Sequence, residues 1–334
     1  MASLADIAKA AGVSVKTASG ALNGSAARMT DETRQRIVGI AREMGYVVDM
    51  AARGTRRGEL PVVGLVADGL ITSPFATEIM RVFDNALKGN GLSVLVTNLR
   101  RSSEIAKEVT GLLQFRPRAI VYASMFHKLV EFPPEVEASI SLTVNCQAIS
   151  GRVPAIVPAE ADAALTVTEV LIAAGRRRIA VLGLPGLHAG HLREKGFREA
   201  LRRHGLAVEP GFIRPAVESR IYHDRARSLV RAHLDEWLAG PLHPDAILCG
   251  NDRVALEVYN GLRRLGLSIP DDIAVASFDN QVELAARLDP PLTTMALPHR
   301  AMARAAAARV LGQAVPGEEP VSELPFTLVR RASL

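Results

Sequence analysis

Beyond residue 61, polar side chains close one apolar run after another: Asp68, Asn98, Ser124, Asn145, Asn251, Asp252 and Asp279. Carboxylates and amides of this kind accept from and donate to hydroxyl groups, so the set reads as a hydrogen-bonding pocket suited to binding. Catalysis is less well served. The chain has no GxGxxG opening a strand–helix unit, no GxxxxGK[ST], no GxSxG elbow and no HExxH, and no nucleophile–base pair is evident. His188, His191 and His299 invite a metal reading, yet no Cys, His or carboxylate cluster with ligand spacing accompanies them. No cofactor and no metal are therefore expected. A plainer reading stays open for some of these positions: Asp68 and Asn98 as turn caps, Asp252 as the cap of the helix that follows.

The runs these residues close are β-branched and short: VVGLV, SVLVTN, AIVYAS, SLTVN, IAVLGL, AILCG and IAVASFD. Helical patterns alternate with them at 76–88, 161–174, 192–204, 225–238, 253–265 and 300–311. Near-continuous apolar strands joined by helical crossovers mean parallel sheets covered on both faces. The units are too many for one compact sheet, so a two-lobed α/β core fits better. In open sheets of this type ligands sit beyond the carboxyl ends of the strands, which is where the polar residues stand.

The first sixty residues read differently. Ile7, Ala8 and Ala11 form one short helical face, and Ala18, Ala21 and Leu22 another. Between them Gly12 permits the tight turn, Val13 plugs the angle and Ser14 caps the second helix. A third helix is capped by Thr30, carries Asp31 and Glu32 at the positive end of its dipole, lines Ile37, Ile40, Ala41 and Met44 on one face, and stops at Gly45. Two short helices joined by a Gly-containing turn form a helix-turn-helix; the alternative is an ordinary helical hairpin at the edge of a larger domain.

Composition agrees with this division. A chain of 334 residues with 48% hydrophobic but only 4% aromatic content is globular and long enough for a small module plus a two-lobed core. The net charge of +5 hints at a polyanionic partner, and basic residues outnumber acidic ones in the first sixty positions, with Arg53, Arg56 and Arg57 close together. Cys146 and Cys249 lie far apart in apolar runs and are expected as buried thiols in a reducing cytoplasm. The start of the chain lacks the basic and apolar pattern of a secretory signal, and no run is long enough to span a membrane, so a cytoplasmic protein is expected.

The wording of the N-terminal segment (DIAKAAGVSVKTAS-ALN, TDETRQRI, MGY, AAR) resembles the DNA-binding headpiece of the LacI/GalR family of bacterial repressors. The likeness continues through SPF, EVLIAAGRRRIAVLG, LREKGFREAL, AILCGND, GLSIPDDIAVASFDN, DPPLTTMALP and LVRRAS, and so covers almost the entire chain. It implies an all-α headpiece over 1–46, a hinge over 47–60, and a periplasmic-binding-protein-like core over 61–331 with three crossovers. The first lobe would hold 61–157 and 290–318, the second 158–289 and 319–331. The second helix would enter the major groove, with Val15, Lys16 and Gly20 at base-reading positions and Thr17, Ser19 and Asn23 at phosphate-contacting ones. Ser14, its cap, belongs to the same DNA-facing set. Val15 suits a thymine methyl and Lys16 a guanine edge. Gly20 departs from the family's longer polar residue, so operator preference does not transfer.

In the hinge, Ala52 and Arg53 match the family pattern, whereas Thr55 stands where a leucine would wedge into the minor groove, and Gly54 precedes it. A shallower kink and a more easily lost hinge helix follow. For the effector, the resemblance selects Asp68, Ser73 and Phe75 in the first lobe and Asp162, Arg193, Asn251 and Asp279 in the second. Arg193 would fork onto vicinal oxygens or a carboxylate, and Phe75 would face a sugar ring. Leu297 and His299 fall at cleft-lining positions, where Leu297 lowers polarity. The implied function is a transcriptional regulator, most simply a repressor, acting as a homodimer on a pseudo-palindromic operator under control of a sugar or sugar acid. No leucine heptads follow the last strand, so a coiled-coil tetramer is not expected. The alternatives are a solute-binding protein of sugar uptake or an enzyme on the same fold; loss of DNA binding on deleting the first sixty residues separates them from a regulator.

Overall fold

The structure, a computed structural model, describes residues 2–22, 29–46, 60–70, 74–223, 225–240, 243–313 and 320–334. It divides into two compact units at Leu60/Pro61.

In the first unit, α1 (Leu4–Ala10) starts on a capping box: Ser3 Oγ accepts from Asp6 N at 3.2 Å and Asp6 Oδ2 accepts from Ser3 N at 2.8 Å. The bond from Ser3 N, with a second from Ser3 Oγ at 2.7 Å, holds the Asp6 carboxyl below its usual range. Gly12 turns the chain at φ +64°, a conformation that disfavours any side chain. Ser14 Oγ then accepts from Thr17 N at 3.0 Å and starts α2 (Val15–Leu22). Thr30 caps α3 (Asp31–Glu43) in the same way, and Gly45 closes it at φ +62°. Ile7, Ala8, Ala11, Ala18, Ala21, Ile37 and Ala41 are buried together, and the alanines let three short helices pack closely. Met44, expected on that face, is 38% exposed.

The second unit holds two six-stranded sheets. The first contains β1 (Leu60–Asp68), β2 (Ser93–Leu99), β3 (Pro117–Val130), β4 (Leu142–Ala148), β5 (Ala155–Pro158) and β11 (Val321–Leu324), in the order β11-β5-β4-β3-β1-β2. The second contains β6 (Ile179–Gly183), β7 (Ile213–Pro215), β8 (Ala246–Cys249), β9 (Ala274–Asp279), β10 (Thr293–Ala296) and β12 (Thr327–Val329), in the order β12-β10-β9-β8-β6-β7. Pairing in the second sheet is parallel except at its edge, where β12 runs antiparallel to β10.

The helices of the first lobe are α4 (Pro74–Lys88), α5 (Ile105–Leu113), the short α6 (Pro134–Glu137) and, later in the chain, α12 (His299–Val310). Those of the second are α7 (Glu160–Ala173), α8 (His188–Arg203), α9 (Val230–Ala239), α10 (Asp252–Arg264) and the short α11 (Val282–Ala285). Both faces of each sheet are covered. In β6 and β8, for example, Ile179, Val181, Ala246 and Leu248 face α7 and α8, while Ala180, Leu182, Ile247 and Cys249 face α9 and α10.

Three differences from the sequence reading follow. The lobe boundaries move: β10 lies in the second sheet, although 290–318 was assigned to the first lobe, and β11 lies in the first, although 319–331 was assigned to the second. The chain crosses after Pro158, after Ala296 and after Leu324. Helix α9 begins at Val230 rather than Arg225, because the chain turns at Arg225 and Ala226 and Ser228 then pairs with Val217 in a short antiparallel bridge. Helix α5 was not anticipated.

Candidate effector cleft and DNA-reading helix

The cleft between the lobes is shaped by an irregularity in β3. Ala123 pairs with Val144 and Lys128 with Cys146, so Ser124 to His127 bulge out opposite Asn145 alone. Asn145 sits at φ +55° and donates both amide protons, to Ser124 O at 3.0 Å and Met125 O at 2.9 Å. That fixes the bulge and leaves its carbonyl oxygen buried with no hydrogen-bond partner. The bulge carries Met125, Phe126 and His127 to the cleft, where Phe126 packs edge-on against Tyr222 of the second lobe, ring centres 5.7 Å apart.

The second lobe supplies the charged groups. Glu160 opens α7 and is fully buried; its Oε2 accepts from Arg193 Nε at 2.6 Å and its Oε1 lies 3.5 Å from His127 Nδ1. Burial alone would raise the Glu160 carboxyl, but Arg193 and then His127 more than offset it, so its pKa lies below the usual value. Arg193 also donates to the Gly250 carbonyl and stacks on the Phe278 ring with its guanidinium carbon 4.2 Å from the centroid. Asp279 ends β9 at φ +102°, with one oxygen 3.8 Å from Arg193 Nη2. Burial pushes its carboxyl up to about 7, against the opposing pull of Arg193. Asn251 caps α10: its Oδ1 accepts from Val254 N at 3.0 Å and its Nδ2 donates to Tyr222 Oη at 3.1 Å.

Glu160, Arg193, Asn251 and Asp279 line one pocket together with Leu184, Leu187, Leu297 and His299. Burial also lowers His299, to about 4, so that ring is neutral near pH 7. Among the described residues, no group of three or more His, Cys, Asp or Glu side chains could hold a metal ion.

Of the residues expected here, Arg193, Asn251 and Asp279 line one cavity, as do Leu297 and His299. Asp68 does not. Its carboxylate accepts from Tyr122 Oη at 2.6 Å and pairs with Lys128 Nζ at 2.5 Å, which anchors the far end of the bulge. Asp162 is exposed on the first turn of α7 and does not line the cavity. Ser73 and the Phe75 side chain lie outside the described residues. Asp252 is structural: it accepts from Ser277 Oγ, from Thr294 Oγ1 at 2.9 Å and from Gln281 N at 2.6 Å, tying α10 to β9 and β10. Sequence reasoning missed Glu160, His127, Arg253 and Gln281. Glu160 was findable, since it follows the carboxyl end of the AIVP run.

In the headpiece, Val15 is 50% exposed and Lys16 is exposed, both on the first turn of α2, while Thr17, Ser19 and Gly20 are half-buried. Asn23, Ala52, Arg53 and Thr55 lie outside the described residues.

Comparison with known proteins agrees with this anatomy. Residues 3–49 match the family model of bacterial regulatory proteins, lacI family, and residues 168–334 match that of the periplasmic binding protein-like domain. The chain is 32% identical over its whole length to the sucrose operon repressor of Escherichia coli, of which it covers 100%. It is 29% identical to the transcriptional repressor CytR of Escherichia coli K12, over 93% of this chain and 89% of that one. Its fold matches the Lac repressor dimer bound to operator and an anti-inducer, with a TM-score of 0.79, 23% identity and coverage of 99% and 98% of the two chains.

A helix-turn-helix joined to a two-lobed binding core defines the class of ligand-sensing DNA-binding regulators. Within that class, the chain belongs to the LacI family of bacterial regulatory proteins.

Proposed function

We propose that this LacI-family protein is a transcriptional repressor whose grip on operator DNA is set by a small polyhydroxylated effector bound between the core lobes. The observation that carries the DNA half is the first turn of α2. A capped helix start with Val15 and Lys16 exposed suits insertion into the major groove. The relatives are repressors by name, which favours this reading over an enzyme or an exported solute-binding protein. The cleft supports the effector half: it offers hydrogen-bonding groups on an apolar frame, and the Asn145 carbonyl waits for a donor.

The working unit is a homodimer on a pseudo-palindrome, with two recognition helices about 34–36 Å apart. No helix among the described residues is long and apolar enough to cross a membrane, and we place the protein in the cytoplasm with its DNA. Effector and operator are coupled through closure of the lobes, and couplings of this kind typically amount to about 1–3 kcal/mol. Selection of genomic fragments by the full chain and by residues 61–334 tests the assignment. The full chain should recover a palindrome of roughly 16–20 base pairs, two half-sites at that spacing. Equal recovery by both chains would refute it.

A further inference from the structure

The effector reading leaves one buried charge unused. Glu160 is fully enclosed, lines the cleft, and sits on the guanidinium that would otherwise be best placed to receive an acid. We propose that Glu160 is the charge selector of the cleft. It holds Arg193 as an internal counter-ion, so that the cleft takes uncharged polyhydroxylated ligands and turns away sugar acids and sugar phosphates. This rests on the reading of the cleft as the effector site.

Geometry makes the first argument. A carboxylate or phosphate is held by arginine through two parallel N–H groups. On Arg193, Nε is committed to Glu160 and Nη1 to the Gly250 carbonyl, Nη2 faces Asp279, and one face of the plane rests on Phe278. With Nε and Nη1 engaged, the side-on Nε–Nη2 fork is closed to an incoming anion, and the remaining nitrogen, Nη2, has a carboxylate 3.8 Å in front of it. With the Glu160 side chain 0% exposed, water offers it no alternative position.

Charge balance makes the second. Arg193 and Arg253 on the cavity wall are matched by Glu160 and, once it ionises above about pH 7, by Asp279, so above that pH the described lining is formally neutral apart from its histidines. An anionic ligand would bring an uncompensated charge into a desolvated space, which is costly. A neutral one would not.

The unmade hydrogen bonds make the third. Asn145 Oδ1 is a buried acceptor without a hydrogen-bond partner on this cavity, and Glu160 Oε1 has only the proton-bearing His127 Nδ1 near it, at 3.5 Å, too long for a full hydrogen bond. Sugar hydroxyls supply donors to such acceptors; carboxylates and phosphates supply further acceptors.

The test is calorimetric titration of the full-length protein with matched ligands. The panel contains glucose, galactose, ribose and sucrose, together with glucuronate, galacturonate, glucose 6-phosphate and ribose 5-phosphate. The wild type should bind a neutral member more tightly than its charged counterpart by roughly tenfold to a hundredfold, as a desolvated charge contact commands. In Glu160→Gln the cleft gains a formal positive charge, and the preference should narrow or invert. Tighter wild-type binding of an acid or phosphate overturns the selector while leaving an effector cleft in place. An unchanged ratio in a folded Glu160→Gln variant also overturns it. Binding of no panel member removes the carbohydrate reading on which it rests, and the selector with it. Should the variant not fold, the wild-type ratio alone decides.

Discussion

Helix α8 brings Arg193 to Glu160 only because it lies almost against α7, and Gly196 is what permits this. A Cβ built at Gly196 would stand 2.0 Å from the Ala161 carbonyl oxygen, 2.9 Å from its carbon and 3.0 Å from Ala164 Cβ. Two of these are backbone atoms of α7, so neither can rotate away, and the helices must separate by more than an ångström to restore an ordinary contact. Gly196→Ala should therefore cost about 1–3 kcal/mol by overpacking, against an intrinsic gain of up to about 1 kcal/mol for replacing glycine within a helix.

Gly111, inside α5, supplies the control, because a Cβ there meets nothing within 4 Å. Gly111→Ala should stabilise by about 0.5–1 kcal/mol. Urea unfolding monitored at the single tryptophan, with the slope held in common, gives both numbers. Since Arg193 lies one helical turn before Gly196, the same substitution should also weaken ligand binding at the cleft, whereas Gly111→Ala should not. If Gly196→Ala proves as stable as the wild type, the close approach of the two helices is wrong, and with it the enclosure of Glu160.

Three further outcomes follow from the site and the headpiece. Asp279 keeps its proton in the folded chain up to about pH 7, whereas the unfolded chain releases it near 3.8. Stability should therefore fall as pH rises through that window. Asp279→Asn should flatten the fall in urea midpoints between pH 4 and 7, leaving the part due to Asp252, whose carboxyl burial raises to about 6. Ser14→Ala removes the cap of α2 and should destabilise the headpiece by about 1 kcal/mol, with recovery in Ser14→Asp; calorimetry of the full chain reads this as a shift in the first transition. Lys16→Ala should relax discrimination at one base position per half-site by about 1–3 kcal/mol, measured by competition among operator variants, with non-specific binding much less affected.

What the sequence discloses here tracks how local the physics is. The headpiece is legible because its caps at Ser14 and Thr30, its turn at Gly12 and its small apolar faces all act within a few residues. The strand-end rule finds Asn145, Asn251 and Asp279 for a similar reason, since a polar residue closing an apolar run marks the rim of a sheet. Strand partners are not local. Thr293–Ala296 and Val321–Leu324 are short runs whose sheet is decided by residues far away in the chain, and both were placed in the wrong lobe. The β3 bulge is likewise invisible, because only pairing with β4 reveals the register shift between Ala123 and Lys128. Asp162 illustrates the limit of motif matching. It lies two residues beyond Glu160, roughly 200° around the helix, so when one faces the cleft the other faces solvent.

The central claim is that a ligand in the cleft controls DNA binding, and fluorescence anisotropy on the selected operator tests it most directly. Full-length protein is titrated onto the labelled palindrome with and without the neutral sugar that binds the core. The account predicts a change in operator affinity of roughly 5–150-fold, in either direction, and loss of that change in Asp279→Ala. An affinity for the operator that stays the same at saturating sugar would contradict it.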